Sequence, residues 1–360
     1  MKKLISIFMI CVFFLFTGCE KKTEFDLESK SETSTNTKKD EKKTESEIIQ
    51  EFSGIPALKG SSGVSALNNK ESAYQGFCCG GEKVFFANPR DGQFLYSYDG
   101  DKLALLADMP VYCLYYYEGT VYFLSDGSEI KLTDNIGQKG YLYGYNTDNN
   151  KLTRLSDFIM RDLSVNESGI FYIQESEDGI ALVCGFDPDT GEGTPLYSCF
   201  FIHNYHGYHI FHISENGEIK VGISNGGESY LLPVDGMPRR DCIVDGIYYY
   251  RPQGKKILKT IDLGSGKCED IIIPEDYGFS DYTVFKGTVY LLLNGDIYAF
   301  INREMVLVKD GAYDFIYSGS DALYAMQWDF EKGPNVYDFV EIGIDEDAGT
   351  VRYKNITSEK

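Results

Sequence analysis

The chain of 360 residues has a single tryptophan, Trp328, and lacks the short patterns of several enzyme classes. Its one G-x-S-x-G match, "GISNG" at residues 222–226, lies in sequence without a helical pattern, which excludes the strand-to-helix nucleophile turn of a serine hydrolase of that type. It contains no H-E-x-x-H motif and no P-loop, so the zinc and nucleotide sites built on them are excluded too. No two cysteines have the C-x2-C spacing of a structural zinc site. These absences predict a protein that is not an enzyme.

Basic residues are scarce compared with acidic ones. Lysine and arginine total 34 against 55 aspartates and glutamates, which gives a formal net charge of −21. Binding to phosphates needs clustered Lys and Arg, so the composition excludes a nucleic-acid partner. The same charge suits cations or basic partners.

The apolar run at the N-terminus is too short to cross a membrane. Leu4 to Phe16 contains only one polar residue, Ser6, whereas a membrane-spanning helix needs about 20 apolar residues. Lys2 and Lys3 precede the run, as in the positively charged start of a signal peptide. We therefore predict a signal peptide over residues 1–18.

The next residues, "FTGC", resemble the lipobox of bacterial lipoproteins, although Phe16 stands where leucine is usual. The resemblance implies cleavage before Cys19 and acylation of that cysteine with fatty acids such as palmitate. It also implies a location at the cell membrane, facing the extracytoplasmic side. The alternative is an ordinary secretory signal in which Cys19 has no role.

Polar residues dominate the segment that follows. Residues 19–52 are rich in Lys, Glu, Ser and Thr and nearly free of aromatics. Such a segment cannot bury enough apolar surface to offset its ordering entropy, so we predict a disordered tether. We assign residues 53–72 to an N-terminal lead-in or closing segment and residues 357–360 to a tail.

A repeat runs through the rest of the chain, which is rich in Tyr, Phe and Gly. A turn followed by an apolar triplet recurs as "GEKVFF", "EGTVYF", "VDGIYY" and "KGTVYL". A strand of alternating apolar and polar residues follows, then a tight turn and another strand, as in "FLYSYDGDKLALL". The repeat length is about 40 residues, that of one four-stranded propeller blade. We predict an all-β fold, a β-propeller of seven four-stranded blades over residues 73–356, with six blades as the alternative.

Two stretches resemble a bacterial family of β-propeller domains named for the low-density lipoprotein receptor-related propeller. They are "GGEKVFFANPRDGQFLYSYDGDKLALL" and "DGIYYYRPQGKKILKTIDLGSGKCEDI". The resemblance implies an exported or lipid-anchored protein of a family whose members rarely have an assigned activity.

Four aspartates, Asp162, Asp241, Asp281 and Asp314, each open the first strand of a repeat. First strands line the channel of a propeller, so we expect these carboxylates to form a ring at its mouth. Their predicted neighbours are Arg161, Arg239, Arg240, Tyr282, Tyr313 and Trp328. Such a ring could hold Ca²⁺ or a cationic ligand. The alternative is that the aspartates make local backbone hydrogen bonds where the strands begin.

All four histidines lie in "HNYHGYHIFH". Side chains alternate along a strand, so His209 and His212 should point to opposite faces. We therefore favour packing within a hairpin over a metal site.

Taken together, these patterns predict a lipid-anchored, non-catalytic binding or scaffold protein for a peptide, glycan or protein partner. One alternative is a propeller hydrolase or lyase with an acidic site at the channel mouth. Another is an accessory subunit of an envelope or sensory complex. No cofactor other than Ca²⁺ is expected.

Overall fold

The structure, a computed structural model, describes most of the chain from residue 50 onward. The described residues are 50–62, 64–65, 76–125, 139–166, 169–175, 181–198, 202–215, 218–225, 228–333, 336–345 and 350–357. The predicted signal peptide, Cys19 and nearly all of the predicted tether lie outside them, as do the side chains of Arg239 and Arg240.

The described part of the chain consists almost entirely of β-strands. Its one helical element is a 3-10 turn at Pro56–Leu58. The second strands of the repeats are apolar on both faces: Lys83–Asn88 and Thr288–Leu293 each bury five of six residues. Among the described residues no helix is both long enough and apolar enough to cross a membrane. The prediction of an all-β fold is confirmed.

Within the described residues the strands form seven antiparallel units of four consecutive strands, numbered here in chain order. Units 2 and 3 are joined into one eight-stranded sheet, because Met160 and Arg161 pair with Gly140 and Lys139. Unit 1 contains Phe77–Gly80, Lys83–Asn88, Phe94–Tyr98 and Leu103–Pro110. Unit 2 contains Tyr112–Tyr117, Thr120–Ser125, Lys139–Asn146 and Lys151–Arg154. Unit 3 contains Met160–Asn166, Gly169–Glu175, Ala181–Asp187 and Glu192–Ser198. Unit 4 contains Ile202–Tyr205, Tyr208–Glu215, Glu218–Ser224 and Ser229–Leu231.

The remaining three units follow the same order. Unit 5 contains Pro238–Val244, Ile247–Pro252, Ile257–Asp262 and Cys268–Ile272. Unit 6 contains Phe279–Phe285, Thr288–Leu293, Asp296–Ile301 and Glu304–Lys309. Unit 7 contains Tyr313–Ser318, Leu323–Trp328, Tyr337–Asp345 and Thr350–Asn355.

Apolar clusters lie between neighbouring units and bury their faces. Ile210 of unit 4, for example, shares a cluster with Tyr248 of unit 5. Phe86 of unit 1 stacks on Phe339 of unit 7 with ring centroids 4.1 Å apart. The first and last units are therefore neighbours in space. Each is made of consecutive strands, so they meet through side chains and share no strand. We call this contact the seam.

Antiparallel order gives the units two distinct faces, because successive turns fall at alternate ends of the strands. The loops between second and third strands lie at the same end as the links between units. We call this end the upper face. The hairpin turns between first and second strands, and between third and fourth strands, form the lower face.

A segment before unit 1 crosses the lower face between units 4 and 5. Its first strand, Gln50–Glu51, pairs in parallel with the last strand of unit 4. Its second strand, Val64–Ser65, pairs with the first strand of unit 5. Between them, Ile55 and Leu58 are each only 2% exposed and join the apolar cluster of the two units. The segment thus fills a gap that the two sheets do not close by themselves.

Polar contacts hold the same segment in place. The Ile55 amide donates to the Leu263 carbonyl at 2.7 Å, and His206 donates through Nε2 to the Ser62 carbonyl at 2.8 Å. Gly54 has φ +102°, and a Cβ there would lie 2.6 Å from the carbonyl carbon of Ser265. Glycine is therefore required where the segment approaches unit 5.

Removing the Leu58 side chain should destabilise the protein. We expect Leu58→Ala to lower the free energy of unfolding in urea by about 2–5 kcal/mol, because it leaves a cavity between units 4 and 5. Leu105→Ala is the matched control, since Leu105 is 48% exposed and its loss should cost less than about 0.5 kcal/mol. Equal losses for the two variants would show that the segment does not stabilise the packing of units 4 and 5.

Candidate functional site

The four predicted aspartates occupy two different positions rather than one ring. A β-bulge interrupts the first strand near its beginning in units 3, 5, 6 and 7. Asp241 and Asp281 take the first paired position after the bulge. Asp162 and Asp314 lie inside the bulge, outside the register of the ladder. Because a bulge inserts an extra residue, the side chains of Asp241 and Asp281 point in a different direction from those of Asp162 and Asp314.

Asp281 is fully buried and links two units. One carboxylate oxygen accepts a hydrogen bond from the Tyr282 amide at 2.7 Å. The other accepts from the Ile316 amide of unit 7 at 3.2 Å. A carboxylate with 0% exposure that is held by backbone donors on both sides stabilises the packing of units 6 and 7.

Asp241 links units 4 and 5 in a similar way. Its Oδ2 accepts from the Tyr248 hydroxyl at 2.7 Å and lies 2.8 Å from Nε2 of His212 in unit 4. Burial, followed by the charge of Asp241, raises the pKa of Tyr248 well above its usual value. This buried group belongs to the core, not to the channel mouth.

The histidines do not gather around a metal position in the part of the chain that the structure describes. His209 packs edge-on against Phe171 of unit 3 with ring centroids 6.0 Å apart, and burial lowers its pKa. His212 faces unit 5 instead. No group of three or more His, Cys, Asp or Glu side chains among the described residues could hold a metal ion. The described residues thus offer no set of side-chain ligands for the expected Ca²⁺.

The other predicted residues are dispersed. Arg161 places Nε 3.2 Å from the carboxylate of Asp162. Tyr282 is buried and donates its hydroxyl to the Tyr249 carbonyl at 3.1 Å. Tyr313 lies in the cluster between units 6 and 7.

Asp314 and Trp328 are predicted site residues that the structure brings to one place, beside the seam on the upper face. The Trp328 ring stacks on Tyr337 with centroids 5.8 Å apart. The Tyr337 hydroxyl donates to Asp314 Oδ2 at 2.7 Å. Burial, followed by this hydrogen bond to Asp314, raises the pKa of Tyr337. The tyrosine therefore stays a hydrogen-bond donor to the carboxylate.

Phe330 extends this stack toward solvent. Its ring lies 5.3 Å from that of Trp328, with the ring planes 25° apart. Phe330 is 68% exposed, whereas Tyr337 is 6% exposed. Three aromatic rings thus lead from the core of the seam to the open upper face.

Ionic contacts surround the stack and tie unit 7 to unit 1. Arg90, in an upper loop of unit 1, donates through Nε to Asp338 at 2.7 Å and through a terminal nitrogen to Asp329. The hydrogen bond from Arg90 lowers the pKa of Asp329. Burial alone would raise the pKa of Asp338, but its hydrogen bonds, first that from Arg90, outweigh burial and lower it.

Two donors beside the seam have no acceptor among the described residues. Trp328 Nε1 and Asn88 Nδ2 are buried without a partner there. They occupy equivalent positions, the last residue of the second strand in units 7 and 1. Unpaired buried donors cost free energy, and a ligand at this face could offer an acceptor to each of them.

We call this set the seam site; its members are Arg90, Asp314, Trp328, Asp329, Phe330, Tyr337 and Asp338. Sequence reasoning did not select Arg90, Asp329, Tyr337 or Asp338 as site residues. The available signal was the upper-loop position of "NPRDG" and "WDFEKG" in their repeats.

The fold matches solved β-propellers. No family model matches the chain, and no curated protein matches it. The β-propeller domain of the Trilobed protease from Pyrococcus furiosus, described as having an open velcro topology, matches with a TM-score of 0.51 and 11% identity, over 79% of this chain and 98% of that one. These values confirm the prediction of an all-β propeller.

Two peptidases share the fold over part of their length. A prolyl endopeptidase matches with a TM-score of 0.55 and 13% identity, over 84% of this chain and 52% of that one. A puromycin-hydrolyzing peptidase from Mycobacterium tuberculosis matches with a TM-score of 0.53 and 11% identity, over 85% and 56%. The chain therefore spans about half the length of these two enzymes.

These matches correct the predicted function. The sequence predicts a non-catalytic binding or scaffold protein, and that prediction is wrong, because the similar propellers come from peptidases and a protease. The inference failed because it relied on missing local motifs. Groups that act together in a folded protein can come from distant parts of the chain, as they do in the seam site.

The seam should make stability depend on acid pH through Arg90. The pKa values of Asp329 and Asp338 are lowered in the folded protein. Their contribution to the free energy of unfolding is therefore fully present above the usual aspartate pKa. It is lost as the pH falls through the lowered values. We expect Arg90→Met to make the free energy of unfolding, measured in urea, fall less steeply on acidification than in the wild type.

The control for this measurement is Lys151→Met, which removes the same charge from an exposed strand end of unit 2. It should keep the slope of the wild type. An unchanged slope in Arg90→Met would show that the ion pairs do not set the acid dependence.

Proposed function

We propose that this chain is a propeller hydrolase that acts on peptides, with the seam site as the place where the peptide is held and cleaved. The support from similarity is that the propellers of like fold belong to peptidases and a protease. The observation that carries the proposal is the Asp314–Tyr337 hydrogen bond of 2.7 Å beside an exposed aromatic stack.

The arrangement suits an extended peptide. An aromatic stack offers contact area to apolar parts of a ligand, and nearby carboxylates can orient its polar groups. Phe330 is open to solvent, and Asp314 is half-buried at the inner end of the stack. A peptide lying across Phe330 and Trp328 would reach the carboxylate.

In this proposal Asp314 acts as the general base. Its carboxylate takes a proton from a water molecule whose oxygen attacks the scissile carbonyl carbon. The proton then passes to the leaving nitrogen as the C–N bond breaks, which returns Asp314 to its ionised form. Tyr337 is a positioning residue, because its hydroxyl holds one oxygen of the carboxylate and leaves the other for the water.

Replacing Asp314 should abolish most of the activity. We expect Asp314→Asn to lower kcat/KM for hydrolysis of unstructured peptides by about a hundredfold or more, the range of general-base catalysis. Tyr337→Phe should cause a smaller loss, since the carboxylate remains. The assay follows new amino groups released by the purified full-length chain from a mixed peptide library.

The matched control is Asp148→Asn, which removes one carboxylate from an exposed turn on the lower face. It should leave the rate unchanged. If the wild-type chain releases no amino groups above the level of the Asp314→Asn variant, the hydrolase proposal fails.

We further propose that the protein is held at the extracytoplasmic face of a membrane by a lipid on Cys19. The described N-terminal segment runs along the lower face, beginning at the outer edge of unit 4. The seam site lies on the upper face. An anchor that precedes this segment would therefore leave the seam site open to soluble peptides.

The anchor predicts a simple fractionation result. In cells that process lipoproteins, the wild-type chain should partition with membranes and into detergent, because acyl chains supply the attachment. We expect Cys19→Ser to appear in the soluble fraction. Cys268→Ser, which alters an exposed cysteine of unit 5, is the control and should stay with the membranes.

A further inference from the structure

We propose that the seam site selects peptides by an arginine side chain, whose guanidinium stacks on the open ring of Phe330. This inference rests on the proposed function for the view that the ligand is a peptide, and it names the residue that the site recognises. It comes from the exposure of Phe330, from how the chain covers its other aromatic rings, and from the local charge.

Phe330 is an exposed aromatic ring held in a fixed position. It is 68% exposed, yet it stacks on Trp328, which in turn stacks on the buried Tyr337. Its loop is fixed by Asp329, which accepts hydrogen bonds from Arg90 and from the Glu331 amide. A ring presented in this way is pre-organised for a flat partner, because little side-chain entropy remains to be lost on binding.

The chain itself shows which flat partner suits such a ring. At the upper end of unit 5, the Arg251 guanidinium lies over the Phe279 ring at 4.5 Å. In unit 2, the Arg154 guanidinium lies over the Tyr141 ring at 3.8 Å. Both rings are covered by an arginine of the same chain. Lysine ammonium groups lie over three other rings, but at 5.0–5.9 Å, so the two arginines make the closer contacts. Phe330 is 68% exposed and has room on its face for a guanidinium from another molecule.

The charges around Phe330 favour a cation. Five carboxylates lie in the two upper loops and strand ends of the seam, against two basic side chains. The carboxylates are Asp91, Asp314, Asp329, Glu331 and Asp338, and the basic side chains are Arg90 and Lys332. Both basic groups already contact Asp329, Lys332 at 3.5 Å. A ligand cation therefore meets a surplus of negative charge in a chain of net charge −21.

Arginine fits this site better than lysine. A guanidinium is planar and stacks on an aromatic face while its edge donates hydrogen bonds to carboxylates. A lysine ammonium is more strongly hydrated and has no flat face to lay on the ring. The site should therefore distinguish the two residues even though their charges are equal.

The single tryptophan gives a direct measurement of binding. Trp328 is the only tryptophan of the chain and belongs to the seam site, so its fluorescence reports on the ring next to Phe330. The probe is a blocked glycine peptide with one central arginine. The comparison peptides carry lysine, citrulline or alanine instead, and citrulline keeps the shape of arginine but not its charge.

We expect the full-length chain to bind the arginine peptide about three- to tenfold more tightly than the citrulline peptide, the range of a partly desolvated cation–π contact. The lysine peptide should fall between them. Phe330→Leu keeps an apolar side chain but removes the aromatic face, and it should abolish the preference. Phe330→Tyr keeps the face and should retain it.

A matched control is Leu307→Ala, which removes an exposed apolar side chain of unit 6 that is 52% exposed. It should not change the affinity for any of the peptides. Equal affinities of the wild-type chain for all four peptides would overturn the inference, as would an arginine preference that survives in Phe330→Leu.

Hydrolysis measured in parallel separates this inference from the proposed function. If the chain binds the arginine peptide preferentially but cleaves no peptide, arginine recognition is supported and the proposed hydrolase function is wrong. If the chain cleaves peptides with no preference for arginine, the hydrolase proposal is supported and the inference about Phe330 is wrong.

Discussion

The contact on which the rest of the molecule depends is the seam between units 1 and 7. Each unit consists of four consecutive strands, so among the described strands none is shared between the ends of the repeat and no ladder of backbone hydrogen bonds joins them. Side chains must hold the ends together instead. Phe86 and Phe339 supply the apolar part, and Arg90 supplies the ionic part through two aspartates. Because such a join relies on charged groups, it concentrates charge on the upper face.

Two other pairs of neighbouring units are linked by buried polar groups instead of the Arg90 ion pairs. Asp241 and Asp281 reach across to units 4 and 7, where His212 and the Ile316 amide meet them. Both oxygens of Asp281 and Oδ2 of Asp241 accept hydrogen bonds from the protein itself. Asp314 differs because the bulge places it one residue earlier, toward the upper face. A shift of one residue in the first strand thus separates a structural aspartate from one that a ligand can meet.

The repeat made the fold predictable, and the bulge limited prediction of the site. "GEKVFF" and "KGTVYL" are read correctly as strands because apolar side chains at turn-bounded positions are a local signal, and they form Lys83–Asn88 and Thr288–Leu293. A bulge leaves no comparable signal, so four aspartates that look equivalent in sequence fall into two positions. Arg90 and Asp338 are 248 residues apart. Their pairing follows only from which units adjoin, and no pattern within one repeat contains that information.

Stability and recognition are therefore only partly separable at the seam. Arg90 links unit 1 to unit 7 and also sets the charge that a ligand meets, so replacing it must change both properties. Phe330 and Asp314 are better separated from the closure. Phe330 is mostly exposed and lies at the outer end of the stack, and Asp314 is held by Tyr337 rather than by unit 1. The lower face between units 4 and 5 is occupied by the chain's own N-terminal segment. Selection for binding can thus act on the upper face of unit 7 while the aromatic contact and Arg90 keep the ends of the repeat together.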